Sequence, residues 1–163
     1  MDINQHFNKL PEWDGKKFLK RLHKGDEWKI LPQLEKAKAL YNRWREIFQL
    51  VESYCETFQN TAEFDHVDET KKLIYQNLFV IAPKIIGAAG VDLYVVKMEN
   101  ASIIRTNCKE LMDQIRFAAM VGAADEKYSD ALSEEMDHFK ELFREWIATF
   151  RKDEFEDEWG LFA

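Results

Sequence analysis

The sequence is poor in residues that interrupt helices and in residues that cross-link secreted proteins. It has three prolines and six glycines among 163 residues, so few positions force a turn and long stretches are free to be helical. It has two cysteines, and its first residues show no charged segment followed by an apolar one. Nothing therefore indicates a disulfide-stabilised secreted protein, and we expect a cytoplasmic one.

Long apolar runs and an excess of positive charge are also absent. The most apolar segment, residues 77–96, is interrupted by Pro83, Lys84 and Asp92, and it falls short of the roughly 18 to 20 uninterrupted apolar residues of a membrane span. The formal net charge is -7. This disfavours direct nucleic-acid binding, which depends on neutralising phosphates. We expect neither a membrane nor a nucleic acid as a partner of this acidic protein.

The composition that remains is that of a stable globular domain. Apolar residues make up 46% of the chain and charged residues 33%, which differs from the low hydrophobicity of disordered chains. We expect one helical domain over 1–163, because a chain of this length can bury a single core. It divides into an amino-terminal arm at 1–25, a helical bundle at 26–152 and an acidic aromatic tail at 153–163.

Apolar residues recur at helical spacing along most of the chain. A first long helix is predicted from Pro32 to about Asn60. Its inward residues alternate spacings of four and three, which places them in one narrow stripe. The stripe consists of Leu40, Trp44, Ile47, Val51, Tyr54 and Phe58. Such a stripe is typical of the seam of a helical bundle.

Three further long helices are predicted. The second is capped by Asp68, ends at Gly87 or Gly90, and is apolar on nearly every side, which indicates a central position. We also expect Pro83 to kink it.

The third helix is capped by Asp92 and reaches about Val121, with Leu93 inward. The fourth runs from about Asp125 to Lys152, with Tyr128 inward. A short amphipathic helix precedes them at 15–25. The sequence thus predicts an all-α, antiparallel, up-down four-helix bundle, with Phe18, Leu19 and Leu22 of the extra helix packed on it.

Two Glu-x-x-His pairs raise the question of a metal site, because di-iron bundles use this pair on two of their helices. Glu63 and His66 fall in a connection. Glu135 lies on the inward flank of its helix, whereas His138 points outward. The inward positions of the first two long helices hold no carboxylate, so ligands would be missing. We predict no metal and no other cofactor, with a ferritin-like site at these four residues or a surface divalent ion near His66 as alternatives. Glu135 is expected to pair with a cation of a neighbouring helix.

Other polar groups give little support for catalysis. Cys55 and Cys108 share their faces with no histidine, and buried cysteines are unreactive. Arg43, Arg105 and Arg116 would form an anion site only if they converged. We therefore expect that the protein is not an enzyme.

Three amides on the third helix could instead have a structural role. Asn100, Asn107 and Gln114 repeat every seven residues at the edge of the apolar stripe. These side chains either form a partly solvated flank of the helix or make hydrogen bonds to a neighbouring helix that set its register.

The tail combines acidic and apolar residues at high density. Carboxylates alternate there with Phe155, Trp159, Leu161 and Phe162. These side chains either dock on the protein's own bundle, facing the basic arm, or are bound by another protein through an aromatic pocket. The first interpretation is favoured, because the arm offers positive charge within the same chain.

The expected function follows from these features. We predict a non-enzymatic protein that acts through protein–protein contacts, as an adaptor, regulator or inhibitor of an unknown partner. A metal-binding or small-ligand-binding bundle is the alternative. Extra apolar residues outside the stripes, such as Phe117 and Met120, favour a homodimer.

Overall fold

A computed structural model describes residues 10–20 and 25–162 of the protein. It contains five α-helices, namely α1 Lys16–Leu19, α2 Glu27–Glu56, α3 Val67–Ala89, α4 Tyr94–Met120 and α5 Glu126–Ile147. No strand occurs in these residues. The all-α prediction is confirmed.

The four long helices pack side by side into a bundle. α2 contacts α3, α3 contacts α4, α4 contacts α5, and α5 returns to α2. α3 and α4 pack together most extensively, and Gly87 lies at this contact, where an added Cβ would be in ordinary van der Waals contact with Asn100 Oδ1 at 3.6 Å. α4 lies much more loosely against α5.

The seam predicted on α2 is the centre of the core. All six residues of its stripe are buried. Trp44 meets Phe139 of α5 edge to face, with ring centroids 5.5 Å apart, an arrangement that aromatic rings prefer. Tyr54 buries its ring and donates its hydroxyl proton to the Asp125 carbonyl at 2.6 Å. The prediction of this stripe is confirmed.

Three predicted helix boundaries were wrong. α2 ends at Glu56 rather than at about Asn60. α2 begins at Glu27, so Pro32 lies inside the helix rather than in its first turn. Proline is tolerated there because it removes only the bond to the Trp28 carbonyl, near the helix start. α5 ends at Ile147, five residues before Lys152.

Two predicted caps were wrong, because side chains more distant in the sequence accept hydrogen bonds from the first backbone amides of these helices. Asp68 lies in the first turn of α3, where its charge favours the positive end of the helix dipole. Asn60 Oδ1 accepts the Val67 amide at 3.1 Å. Asp92 does not cap α4, whose Tyr94 amide donates to Asp153 Oδ2 of the tail at 2.8 Å.

Several apolar residues predicted to lie inward are exposed. Leu93 is among them because α4 begins only after it, and so is Tyr128 in the first turn of α5. α3 is not central, since its Leu73, Phe79 and Ile86 face outward. Four helices around one core leave each helix with an outer face, whatever its composition.

The arm covers one end of the bundle. Phe18 and Leu19 of α1 pack on the core, as predicted, whereas Leu22 lies outside the described residues. The Trp13 ring lies between Phe18, at 5.0 Å, and Tyr41 of α2, at 5.4 Å. The Tyr41 hydroxyl donates to the Pro11 carbonyl at 2.8 Å. Among the helices described, none has the length and apolarity to cross a bilayer.

Candidate interaction site

An open groove separates α4 from α5 on the surface of the bundle, with a volume of about 440 Å³. We call it the α4–α5 groove. Apolar side chains make its floor, and they are Ile104, Cys108, Met112, Met136, Phe139, Phe143 and Ile147. Charged side chains make its rim, and they are Arg105, Lys109, Arg116, Lys140, Arg144 and the carboxylate Asp113. An apolar floor inside a basic rim contrasts with the net charge of -7 of the whole chain.

Much of the positive charge of the rim is not neutralised. Arg116 lies 3.6 Å from Asp113, and Lys140 donates to Asp137 at 2.7 Å, a bond that lowers the pKa of Asp137. The remaining cations, Arg105, Lys109 and Arg144, form no ion pair with the carboxylates of residues 10–20 and 25–162. The groove therefore favours an anionic ligand with an apolar surface.

The cysteines contribute no nucleophile to this groove. Burial raises the pKa of the Cys108 thiol on its floor to about 12. Burial also raises the pKa of Cys55, on α2, to about 12. Because the thiolate is the reactive form, both side chains are neutral at physiological pH and act as small apolar groups.

The acidic aromatic tail is hydrogen-bonded to α4 at its base. Asp153 accepts the Tyr94 amide through Oδ2 and the Phe155 amide, at 3.1 Å, through Oδ1. The chain then turns where the Gly160 amide donates to the Asp157 carbonyl at 2.8 Å. Gly160 has a φ of +66°, which glycine adopts without steric cost. The tail is therefore held beside the start of α4.

The apolar side chains of the tail differ in how much of their surface the bundle covers. Trp159 is 85% exposed and Phe155 54%, Leu161 is also exposed, and Phe162 is half-buried. The predicted docking of the tail on its own bundle is thus wrong for Trp159, whereas Phe155, Leu161 and Phe162 line one pocket with Tyr94 and Val95 at the start of α4. The end of the core is already filled, because Phe150 packs on Trp146 with centroids 4.8 Å apart. Of the arm's positive charges, Arg21 and Lys24 lie outside the described residues.

The candidate metal ligands are not brought together. His66 is the N-cap residue of α3, exposed, and 3.3 Å from Asp65, and Glu63 is exposed beside it. Glu135 pairs with Arg43 of α2 at 2.9 Å, which confirms the cation predicted for it, while His138 is exposed. In the described parts of the chain, no group of three or more His, Cys, Asp or Glu is placed to hold a metal ion.

The three side-chain amides of α4, Asn100, Asn107 and Gln114, make two kinds of contact. Gln114 Oε1 accepts from Asn77 of α3 at 3.1 Å, so the interhelical interpretation is confirmed there. Asn100 and Asn107 instead donate to carbonyls one turn earlier in their own helix. The close approach of α3 to α4 places an acceptor and a donor together only at Gln114.

The groove was missed in the sequence, although its signal is present. Arg105, Lys109 and Arg116 follow one another at spacings of four and seven residues, and Lys140 and Arg144 are four apart. Each series lies along one helix face. Arg105 and Arg116 do converge on one site, whereas the third arginine considered, Arg43, lies elsewhere. Helical periodicity alone does not reveal that the two faces meet.

A buried lysine was also missed. Lys97 of α4 is 4% exposed and donates to Gln33 Oε1 of α2. Its ammonium group lies 5.8 Å from the centre of the Phe150 ring. Desolvation by burial lowers its pKa, and Asp92 partly opposes this shift.

Comparison with protein-family models, with curated proteins and with solved structures finds no match for the chain.

Proposed function

We propose that the protein is a non-enzymatic, cytoplasmic helical bundle that acts through protein–protein contacts, as an adaptor, regulator or inhibitor. The acidic aromatic tail is the segment that its partner binds. The short connections between the long helices support an antiparallel, up-down arrangement. Two free, buried cysteines support a reducing compartment.

The exposure of Trp159 carries this proposal. An indole that is 85% exposed contributes nothing to the bundle's own core, yet tryptophan is the residue most enriched among binding hot spots. Asp153 holds the base of the tail against α4, which limits the conformations that a partner must order on binding. A presented aromatic group on a restrained segment is a favourable contact for a protein with an aromatic-binding pocket.

Affinity capture from a lysate of the native cell tests the proposal. Trp159→Ala should lose the specific partner, and free peptide 151–163 should displace it from the wild-type protein. Trp28→Ala is the matched control, because Trp28 is also exposed, at 65%, but lies on α2 outside the tail. Identical captured proteins for Trp159→Ala and wild type would contradict the proposal.

The α4–α5 groove supports a second candidate function, the binding of a small amphiphilic anion. Its volume of about 440 Å³ lies within the roughly 300–1,000 Å³ of small-molecule sites. Native mass spectrometry of the purified protein distinguishes the candidates. A stoichiometric anionic ligand that is lost in Arg144→Glu, at an exposed position of the rim, would favour the second.

A further inference from the structure

We propose that the α4–α5 groove binds the acidic aromatic tail of a second copy of this chain. The inference rests on the proposed function in one respect, that the tail is a contact segment. It adds that the partner is a second copy of this chain and that the tail binds in the α4–α5 groove of that copy. Two copies would each supply one tail and one groove, so the contact forms twice in a closed, two-fold dimer.

Charge complementarity identifies the tail as the occupant. The rim of the groove carries five cations and one carboxylate. The tail carries five carboxylates between Asp153 and Glu158 and no cation. Opposite potentials on two surfaces steer their association and disfavour binding between like-charged ones.

The apolar parts of the two surfaces also match. The groove floor is lined by aliphatic, thioether and aromatic groups, among which Phe143 and Ile147 are only half-buried. The tail presents Phe155, Trp159 and Leu161 to solvent. Docking would remove the exposed parts of Phe143 and Ile147, and the apolar side chains of the tail, from water. Sulfur atoms make favourable contacts with aromatic rings, and two methionines line the groove.

The position of the tail favours a second copy over its own groove. Asp153 holds the base of the tail at Tyr94, and the following residues lie beside Tyr94 and Val95. The groove begins at Ile104. Ten residues of helix separate Tyr94 from Ile104, which is about 15 Å. The turn from Asp157 to Gly160 keeps the tail beside the start of α4, so Trp159 does not enter its own groove and is open to another molecule.

Sedimentation velocity of the full chain tests the inference, over about 1 to 200 µM to cover the micromolar Kd of small interfaces. We expect a dimer that weakens as salt rises, because the charges are exposed. Trp159→Ala in the tail and Arg144→Glu in the rim should each raise the Kd about tenfold or more. Lys72→Glu, the same charge change at an exposed position of α3, should leave it unchanged.

A mixing experiment makes the test specific for the pairing of tail with groove. Trp159→Ala retains an intact groove, and Arg144→Glu retains an intact tail. Each variant alone has two impaired contacts, whereas the mixed dimer has one wild-type contact and one that carries both substitutions. Because a contact broken by one substitution loses little more from the second, an equimolar mixture should yield a heterodimer at concentrations where each variant alone is monomeric. Without that heterodimer, the tail and the groove are not partners and the inference is overturned.

The other outcomes of the sedimentation and capture experiments also test the inference. A wild-type monomer throughout the range overturns the inference, and a dimer insensitive to both variants places the interface on another face, such as Phe79 and Ile86 of α3. If the wild type is monomeric while Trp159→Ala still loses its captured partner, self-association fails and the proposed function stands. If the mixed heterodimer forms while Trp159→Ala captures the same proteins as wild type, the proposed external partner fails and the dimer stands.

Discussion

The most direct test of the fold compares two tryptophans on the same helix. Trp44 is completely buried and Trp28 is 65% exposed, and both lie on α2. Replacing Trp44 with alanine removes a side chain that buries about 150–250 Å². At about 25 cal/mol per Å², this amounts to about 4–6 kcal/mol of lost burial.

Two smaller contributions act in opposite directions. The edge-to-face contact with Phe139 adds about 0.5–1.5 kcal/mol to the loss. The indole N–H of Trp44 is buried without a hydrogen-bond partner among the described residues, and its removal relieves about 1–3 kcal/mol of desolvation. We therefore expect Trp44→Ala to lower the free energy of unfolding by about 3–5 kcal/mol, the range typical of large aromatic truncations.

Urea unfolding followed by far-UV circular dichroism measures this effect. Trp28→Ala should change the free energy of unfolding by less than about 0.5 kcal/mol, because it removes little more than the contact of the ring with Lys29. Trp44→Phe should cost less than about 2 kcal/mol, since it keeps a ring and removes the unpaired donor. Similar losses for Trp44→Ala and Trp28→Ala would refute the placement of α2 in the core.

Two further predictions concern buried titratable groups. Lys97→Met should stabilise the protein by about 1–2 kcal/mol at neutral pH, since it removes a buried cation without a carboxylate partner in the described chain. Because the pKa of Lys97 is lowered from 10.5, the stability advantage of Lys97→Met should shrink as pH rises toward 10.5. A urea titration at neutral pH in which the variant is less stable than wild type would contradict the expected stabilisation. Burial raises the pKa values of Cys55 and Cys108 from 9.0 to about 12. The buried neutral thiols therefore make their full contribution to the free energy of unfolding below pH 9, and this contribution is lost between pH 9 and 12. The double variant to alanine should show a shallower alkaline fall of stability, by up to about 1.4 kcal/mol per pH unit for each thiol, and equal slopes would count against burial of the thiols.

The helical class and the main seam were predictable because they depend on local periodicity. The α2 stripe from Leu40 to Tyr54 could be identified from spacing alone, since residues three and four apart share one helix face, and Phe58 is buried just beyond the end of the helix. The end of α4 was predictable for a similar reason, as Gly122 follows the last turn with a φ of +75°. The partner of Glu135 followed from its place at the edge of a stripe, where a neighbouring helix must lie close.

The caps and the interaction site depended on contacts between distant parts of the chain. The Tyr94 amide is satisfied by Asp153, 59 positions later, and no local pattern encodes that pairing. The basic rim exists because α5 lies loosely beside α4, which brings Lys109 and Arg144 to one groove. Spacing determines which residues share a helix face, but only the packing of the helices determines which faces meet, which are covered and which remain open.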